Sequence, residues 1–420
     1  MDHRYPIVTI EDYEPLVGSE LTERVKEKAH ALKDISVAHV SSTYYGGGVA
    51  TLLAPLTLLM NRAGVDTEWW VIQGSPDFFS VTKKMHNALQ GGEINLSELK
   101  KDIYEAVVYE NSLRNDLYHD RVVVHDPQPL PMIRHFPKKG PWIWRCHVDL
   151  TDPNRELMEY LSEFIESYDA AIFTLQEYSQ PIRTPQVFFM PAIDPFSIKN
   201  RELTDEEIDE RLAHYDIPTD LPLVTQISRF DRWKDPEGVI AAFEEATKKV
   251  DARLVLLGNV ATDDPEGEEV YQSLLNYQND RVIILSREDT ALVNALQSKS
   301  AVVLQKSIRE GFGLTVTEAM WKGAAVIGAN VGGIRYQITN GTNGFLVSSI
   351  DETAERIVTL VRDEDLRREF GEKARETVRE RFLLIHLLEQ YFDLFSSFET
   401  AYTLNSFRFW HGRMGGEESA

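Results

Sequence analysis

The sequence predicts an α/β protein of two doubly wound domains, and three observations carry that prediction. Short apolar runs alternate with amphipathic segments along nearly all of the 420 residues. The alternation pauses at Pro191-Ala192-Ile193-Asp194-Pro195, where two prolines bracket an extended stretch, and resumes past the breaker Ile217-Pro218-Thr219-Asp220. Each half also contains a glycine-rich turn leading from an apolar strand into a helix, at Gly46-Gly47-Gly48 and at Gly311-Phe312-Gly313.

In the first half, strands are predicted over 36–40, 68–72, 121–125, 142–146, 170–174 and 187–190. Helices are predicted over 49–62, with a kink expected at Pro55, and over 155–167. The mixed segment 85–120 reads as helical. In the second half, strands are predicted over 223–226, 253–257, 281–285, 301–305, 325–328 and 345–347. Helices follow over 315–321, stopped by Gly323 as its C′ glycine, and over 351–362, 364–381 and 383–397. The expected domains are 1–192 and 193–382, two similar units hinged at the proline pair and facing a cleft. Residues 383–420 supply a helix expected to pack back on the N-terminal domain, then a tail expected to be disordered from Gly415.

Composition narrows the function classes. A net charge of −23 repels nucleic acid, whose backbone must be matched by cations. Much of the excess falls in predicted helical segments, 202–210 and 263–269, and reads as solvated surface. Apolar runs are too short for a bilayer span, and the N-terminus is polar and acidic, unlike a secretory signal. The single Cys146 excludes an intramolecular disulfide framework, so a cytoplasmic enzyme is expected, with Cys146 itself a small buried residue. No zinc-like Cys/His cluster occurs, so no fixed metal is expected.

The chemistry concentrates in four stretches. In Glu310-Gly311-Phe312-Gly313-Leu314-Thr315-Val316-Thr317-Glu318, two carboxylates flank a Gly-x-Gly turn between strand and helix. Free N–H groups near Gly313 and Leu314 suit phosphate, while Glu310 and Glu318 suit hydroxyls; together they suggest a sugar nucleotide. Arg229 and Lys234 follow the first strand of the second half, where open parallel sheets bind ligands. They either stabilise a departing diphosphate or pair with Asp231 and Asp235 as surface cations. His147, in Arg145-Cys146-His147-Val148-Asp149, either bonds a sugar hydroxyl or is a satisfied core histidine. In His125-Asp126-Pro127-Gln128-Pro129, polar side chains line an acceptor pocket or the prolines merely shape a turn. The triple glycine Gly46 to Gly48 is either a binding loop or a tight turn, and lacks a full dinucleotide fingerprint. Trp69, Trp70, Trp142 and Trp144 read as core or rim aromatics.

Taken in order, these motifs resemble the retaining GT-B glycosyltransferases, the family that includes sucrose and glycogen synthases. Within it, the strings from Gly46 to Ala50, His125 to Pro129, Trp144 to Asp149, Asp263 to Gly267, Ser307 to Gly323 and Val331 to Ile334 look like the trehalose glycosyltransferring synthases. Segments 1–34, 181–216 and the C-terminal tail depart from that group, which bears on the acceptor more than on the donor. The resemblance implies two Rossmann-like domains and reversible transfer of glucose, with retention, between a nucleoside diphosphate glucose and free glucose. It implies that Arg229 and Lys234 hold the diphosphate, Glu310 the donor sugar and Glu318 the ribose. Gly311, Phe312, Gly313, Leu314 and Thr315 would line the donor, with Gly47 and Gly48 closing over it. Gly46, Asp126, Gln128 and Asp149 would face the acceptor, and His147 the reacting carbon. Attack is expected on the front face, a donor phosphate oxygen taking the acceptor's proton. The expected partners are small molecules, a sugar nucleotide and a sugar, with no permanent cofactor, no nucleic acid and no membrane. The resemblance leaves room for Mg²⁺ as an activator and for a homodimer. The alternatives are a different small polyol or sugar acceptor, phosphorolysis of trehalose, and a non-catalytic nucleotide-sugar-binding module. An NAD-dependent oxidoreductase is weaker, since no ribose-binding acid follows the second strand.

Overall fold

Why the strands bury both faces is plain from their composition: Val122, Val123 and Val124, like Val302, Val303 and Leu304, show almost no exposed surface. Such runs need helices on either side, the condition of a parallel sheet. The computed structural model describes residues 8–44, 47–258 and 265–398. These residues form two compact units, one of Val8–Pro191 with the helix Leu384–Ser397, the other of Ala192–Leu383.

The first unit holds β1 (Ser36–Ser41), β2 (Asp66–Val71), β3 (Arg121–His125), β4 (Trp142–Arg145), β5 (Ala170–Phe173) and β6 (Gln186–Phe188). All pair in parallel, in the order β2-β1-β3-β4-β5-β6. The second unit holds β7 (Leu223–Ile227), β8 (Arg253–Gly258), β9 (Val282–Ser286), β10 (Val302–Gln305), β11 (Val326–Ala329) and β12 (Phe345–Val347). Its parallel order is β12-β11-β10-β7-β8-β9. Each order reverses once, between β1 and β3 in one sheet and between β7 and β10 in the other. Chain connections diverge there to opposite faces, leaving a crevice beyond the strand ends, the usual ligand position in open α/β sheets.

Every predicted strand is present, with ends displaced by a residue or two where pairing register decides. The strand expected from 68 begins at Asp66, because Asp66 pairs with Ser36 of β1. Segment 85–120 is helical as expected but divided: it holds the end of one helix, Pro76–Leu89, and all of a second, Glu98–Ser112. The first starts early because the Ser75 side chain caps Phe78 and Pro76 occupies the first turn. Pro55 lies within the helix Gly47–Arg62. Gly323 follows the helix Leu314–Trp321 with φ +74°, the left-handed conformation a C′ glycine supplies.

The helices Pro236–Thr247 and Ile350–Arg362 cover one face of the second sheet, with Val239, Phe243, Ile357 and Leu360 in its core. Asp205–His214 and Thr290–Lys299 cover the other. In the first unit, Leu384–Ser397 lies against Ser19–Ala31, where Lys28 reaches Glu389 at 2.8 Å and Asp393 at 2.7 Å. Arg121 also donates to the Phe395 carbonyl at 3.0 Å. The tail from Gly415 and the acidic residues 263–264 lie outside the described residues.

Candidate active site

In the second unit, β7 and β10 are neighbours, so the loops leaving their C-terminal ends run side by side. The Gln226 side chain stitches them, donating to the Lys234 carbonyl at 2.9 Å and accepting the Lys306 N–H at 2.9 Å. Ile308 N–H donates to the Trp233 carbonyl at 2.7 Å. After β7 the Asp231 side chain caps Trp233, and Asp235, at φ +48°, caps Gly238 at the start of Pro236–Thr247. A side chain at Gly238 would collide with the Asp235 carboxylate. This turn directs Lys234 towards β10, where its ammonium lies 2.6 Å from Glu310 Oε2. The same oxygen accepts from Ser307 Oγ at 3.0 Å and lies 3.4 Å from Gln305 Nε2. Sequence reasoning offered Asp235 as the alternative partner of Lys234; Asp235 instead pairs with Lys306. Lys306 was missed as a site residue, and its place directly after an apolar strand was the available signal. Arg229 reaches Asp231 at 3.2 Å and remains 47% exposed, so it is open to an incoming anion.

The glycine turn is held from beneath. Gln337 donates to the Phe312 carbonyl at 2.6 Å and accepts from Thr317 Oγ1 at 2.6 Å. Gly333 passes so close to Phe312 that a Cβ there would lie 2.4 Å from the Phe312 Cα. Phe312 is buried and packs against Phe382, while Gly311, Gly313, Leu314 and Thr315 are half-buried. Gly313, at φ +86°, precedes Leu314–Trp321 and caps it with no side chain. The Val316 N–H bonds the Gly313 carbonyl at 2.9 Å, and the N–H groups of Leu314 and Thr315 are left to a ligand or solvent.

Glu318 sits on the same helix and is 1% exposed. Its Oε1 meets the Lys199 ammonium at 2.7 Å, while Oε2 is buried with no hydrogen-bond partner among the described residues. A buried carboxylate oxygen without a donor costs free energy until one arrives. Nearby, Lys322 donates to Gln297, Asn200 and the Glu318 carbonyl. Burial pushes the Lys322 ammonium down to about 7, against the pull of Glu318. Lys199 was also missed; it lies in 181–216, one of the segments that depart from the family pattern.

In the first unit the corresponding loops follow β1, β3 and β4. Gly47 and Gly48 open the helix Gly47–Arg62, whereas Gly46 lies outside the described residues. Tyr44, half exposed, stacks edge-on against Trp69 and donates to its carbonyl at 3.2 Å. Trp142, Trp144 and Cys146 are fully buried, and burial pushes the Cys146 thiol well up, out of nucleophile range. Asp126 takes φ +62°, and its Oδ1 accepts the His147 backbone N–H at 2.8 Å. Burial raises the Asp126 carboxyl to about 6 despite that bond. Asp149 accepts from the N–H and hydroxyl of Thr151, at 2.9 and 2.7 Å, and shapes its own turn. Gln128 Oε1 is buried with no hydrogen-bond partner among the described residues. His147 is half-buried, and its Nε2 lies 3.0 Å from His125 Nδ1. One ring nitrogen is therefore satisfied within the protein, as the core-histidine alternative expects.

The strand orders and the loops above define an α/β glycosyltransferase. A trehalose 6-phosphate synthase structure from Burkholderia multivorans superposes with a TM-score of 0.68, at 15% identity, covering 91% of this chain and 100% of its own. An Anabaena protein crystallised with UDP-glucose gives a TM-score of 0.63, at 16% identity, covering 86% of this chain and 100% of its own. Residues 207–377 match the family described as glycosyl transferases group 1, and residues 39–180 that described as trehalose synthase, N-terminal domain. The trehalose synthase of Thermococcus litoralis is 44% identical over 93% of this chain and 97% of its own length. The chain belongs to the trehalose synthase family.

Proposed function

We propose that this enzyme forms trehalose by moving glucose, with retention of anomeric configuration, from a nucleoside diphosphate glucose to free glucose, reversibly. The observation that carries the donor assignment is the arrangement on β7 and β10: Lys234 joined to Glu310, Arg229 open to solvent, and Glu318 with an oxygen awaiting a donor. In this reading Arg229, Lys234 and the uncapped N–H groups after Gly313 stabilise the diphosphate as its bond to the anomeric carbon breaks. A ribose hydroxyl donates to Glu318 Oε2, and Glu310, positioned by Lys234 and Ser307, holds the donor glucose. His147 takes a hydroxyl of the donor sugar, while Asp126, Gln128 and Asp149 belong to the acceptor side. The acceptor oxygen bonds to the anomeric carbon on the face the diphosphate leaves, and its proton passes to a diphosphate oxygen. A UDP-glucose complex in a fold neighbour, and trehalose synthase relatives across nearly the whole chain, support donor and product.

The test is incubation of purified protein with trehalose plus either a nucleoside diphosphate or inorganic phosphate, with products read by NMR. A sugar nucleotide appearing only in the first mixture is expected. A sugar phosphate from the second would replace this reading with phosphorolysis.

A further inference from the structure

Three histidines of the first unit form one hydrogen-bonded row across adjacent strands. His39 stands on β1, His125 ends β3, and His147 lies just past β4. Nδ1 of His39 is 2.9 Å from Nε2 of His125, and Nδ1 of His125 is 3.0 Å from Nε2 of His147. The inner end is closed: His39 is fully buried, and its Nε2 has no hydrogen-bond partner among the described residues. The Tyr391 ring packs edge-on at 5.7 Å from it, with a hydroxyl that is itself buried and has no partner among the described residues.

Burial pushes the His39 imidazole down to about 3 and those of His125 and His147 well below the ordinary value, with the Arg145 charge reinforcing the latter two. Each ring is therefore neutral near pH 7 and carries one N–H. Two contacts among three such rings allow only two consistent patterns. If the protons point inward, His147 Nε2–H donates to His125, and His125 Nε2–H to His39. That leaves an N–H stranded at His39 Nε2, where no oxygen or nitrogen receives it. If they point outward, His39 Nδ1–H donates to His125, and His125 Nδ1–H to His147, leaving only a lone pair at the closed end. Stranded buried N–H groups are the rarer and costlier defect.

We infer that His39 and His125 are positioning residues that lock His147 in the Nδ1–H tautomer, so that it presents a hydrogen-bond donor to a sugar hydroxyl oxygen. This rests on the reading of His147 as a sugar contact. With Nε2 occupied by His125, His147 has no lone pair for the acceptor's proton. It is thereby a donor and not a general base, which leaves the diphosphate oxygen as the proton's destination.

The test uses the full chain with ring-¹⁵N histidine and long-range ¹H–¹⁵N correlation, with His147 assigned by loss of its signals in His147→Asn. Nδ1–H is expected at His39, His125 and His147 without any substrate present; Nε2–H at His147 overturns the inference. His125→Phe deletes both bonds. It should shift His147 towards the Nε2–H form of free imidazole and lower kcat roughly tenfold, the worth of one oriented hydrogen bond. His125→Asn, whose amide N–H occupies the Nδ1 position, should restore both the His147 spectrum and most of kcat. Loss of kcat in both variants with an unchanged His147 spectrum would overturn the positioning role. Normal tautomers in a protein that makes no trehalose would instead count against the proposed function alone.

Discussion

Acidification should destabilise the first unit through its histidine row, by an amount the structure sets. His39 and His125 are 0% and 1% exposed, and burial holds both below their ordinary values, His39 at about 3. An unfolded histidine binds a proton near pH 6.5, so below that the unfolded chain takes up protons that the folded chain refuses. Stability therefore falls as pH drops through 6.5 and continues falling towards the folded value. At pH 5 His39 removes about 2 kcal/mol relative to pH 7, and His125 adds in the same direction. Asp126 acts in the opposite sense. Its folded carboxyl, raised to about 6, takes a proton before the unfolded one does, returning about 1 kcal/mol over the same interval. His39 and Asp126 together leave a net loss of about 1 kcal/mol, to which His125 and half-buried His147 add in the same direction. The assay is thermal unfolding at pH 7 and pH 5 for the parent and for His39→Asn, which keeps a donor towards His125 but cannot titrate. The pH-dependent fall in Tm should be smaller in the variant by about 4–8 °C, from ~2 kcal/mol over a unit of this size. Equal falls in the two proteins would show that His39 is already protonated, or solvated, when folded, and the reasoning would fail.

Other substitutions probe the second unit. Glu310→Ala should lower kcat by about 10²–10³ while the protein stays folded, since it removes a positioned group and leaves Lys234 unpaired; near-normal turnover would remove Glu310 from the site. Glu318→Gln should weaken donor binding by roughly tenfold or more at nearly unchanged kcat, read by isothermal titration with the nucleoside diphosphate. Lys306→Met should raise the donor KM through loosening of the Asp235 turn and loss of a cation, with the salt dependence of KM reduced. Gly371→Ala reverses a familiar rule. Alanine usually stabilises a helix by about 1 kcal/mol over glycine. Here a Cβ would lie 2.0 Å from the Gly323 carbonyl oxygen, so chemical denaturation should show a net loss of about 1–3 kcal/mol.

The twelve strands were legible because parallel strands buried on both faces must be apolar runs, and such runs stand out between polar helices. Some helix ends were legible from the local device that sets them, as at Gly323. The start of the helix Pro76–Leu89 was placed too late because its apolar face, with Phe78, Val81 and Met85, is interrupted by polar residues, and the Ser75-Pro76 start was passed over. The Gly-Phe-Gly turn and its flanking carboxylates were also readable, since they lie within a few residues of one another.

Partners drawn from distant segments could not be read. Lys199 and Glu318 are 2.7 Å apart, yet the chain separates them by more than a hundred positions, and no local pattern couples them. Lys234 chose Glu310 over its neighbour Asp235 because the crossing of β7 and β10 loops aims it there, while Lys306 occupies Asp235. The row from His39 to His147 exists only because β1, β3 and β4 are adjacent in the sheet. Sequence determined which segments are strands, helices and turns, because hydrophobic period and turn chemistry act over short distances. The tertiary structure decided which charges and ring nitrogens face one another, because strand order and register are set by packing over the whole sheet.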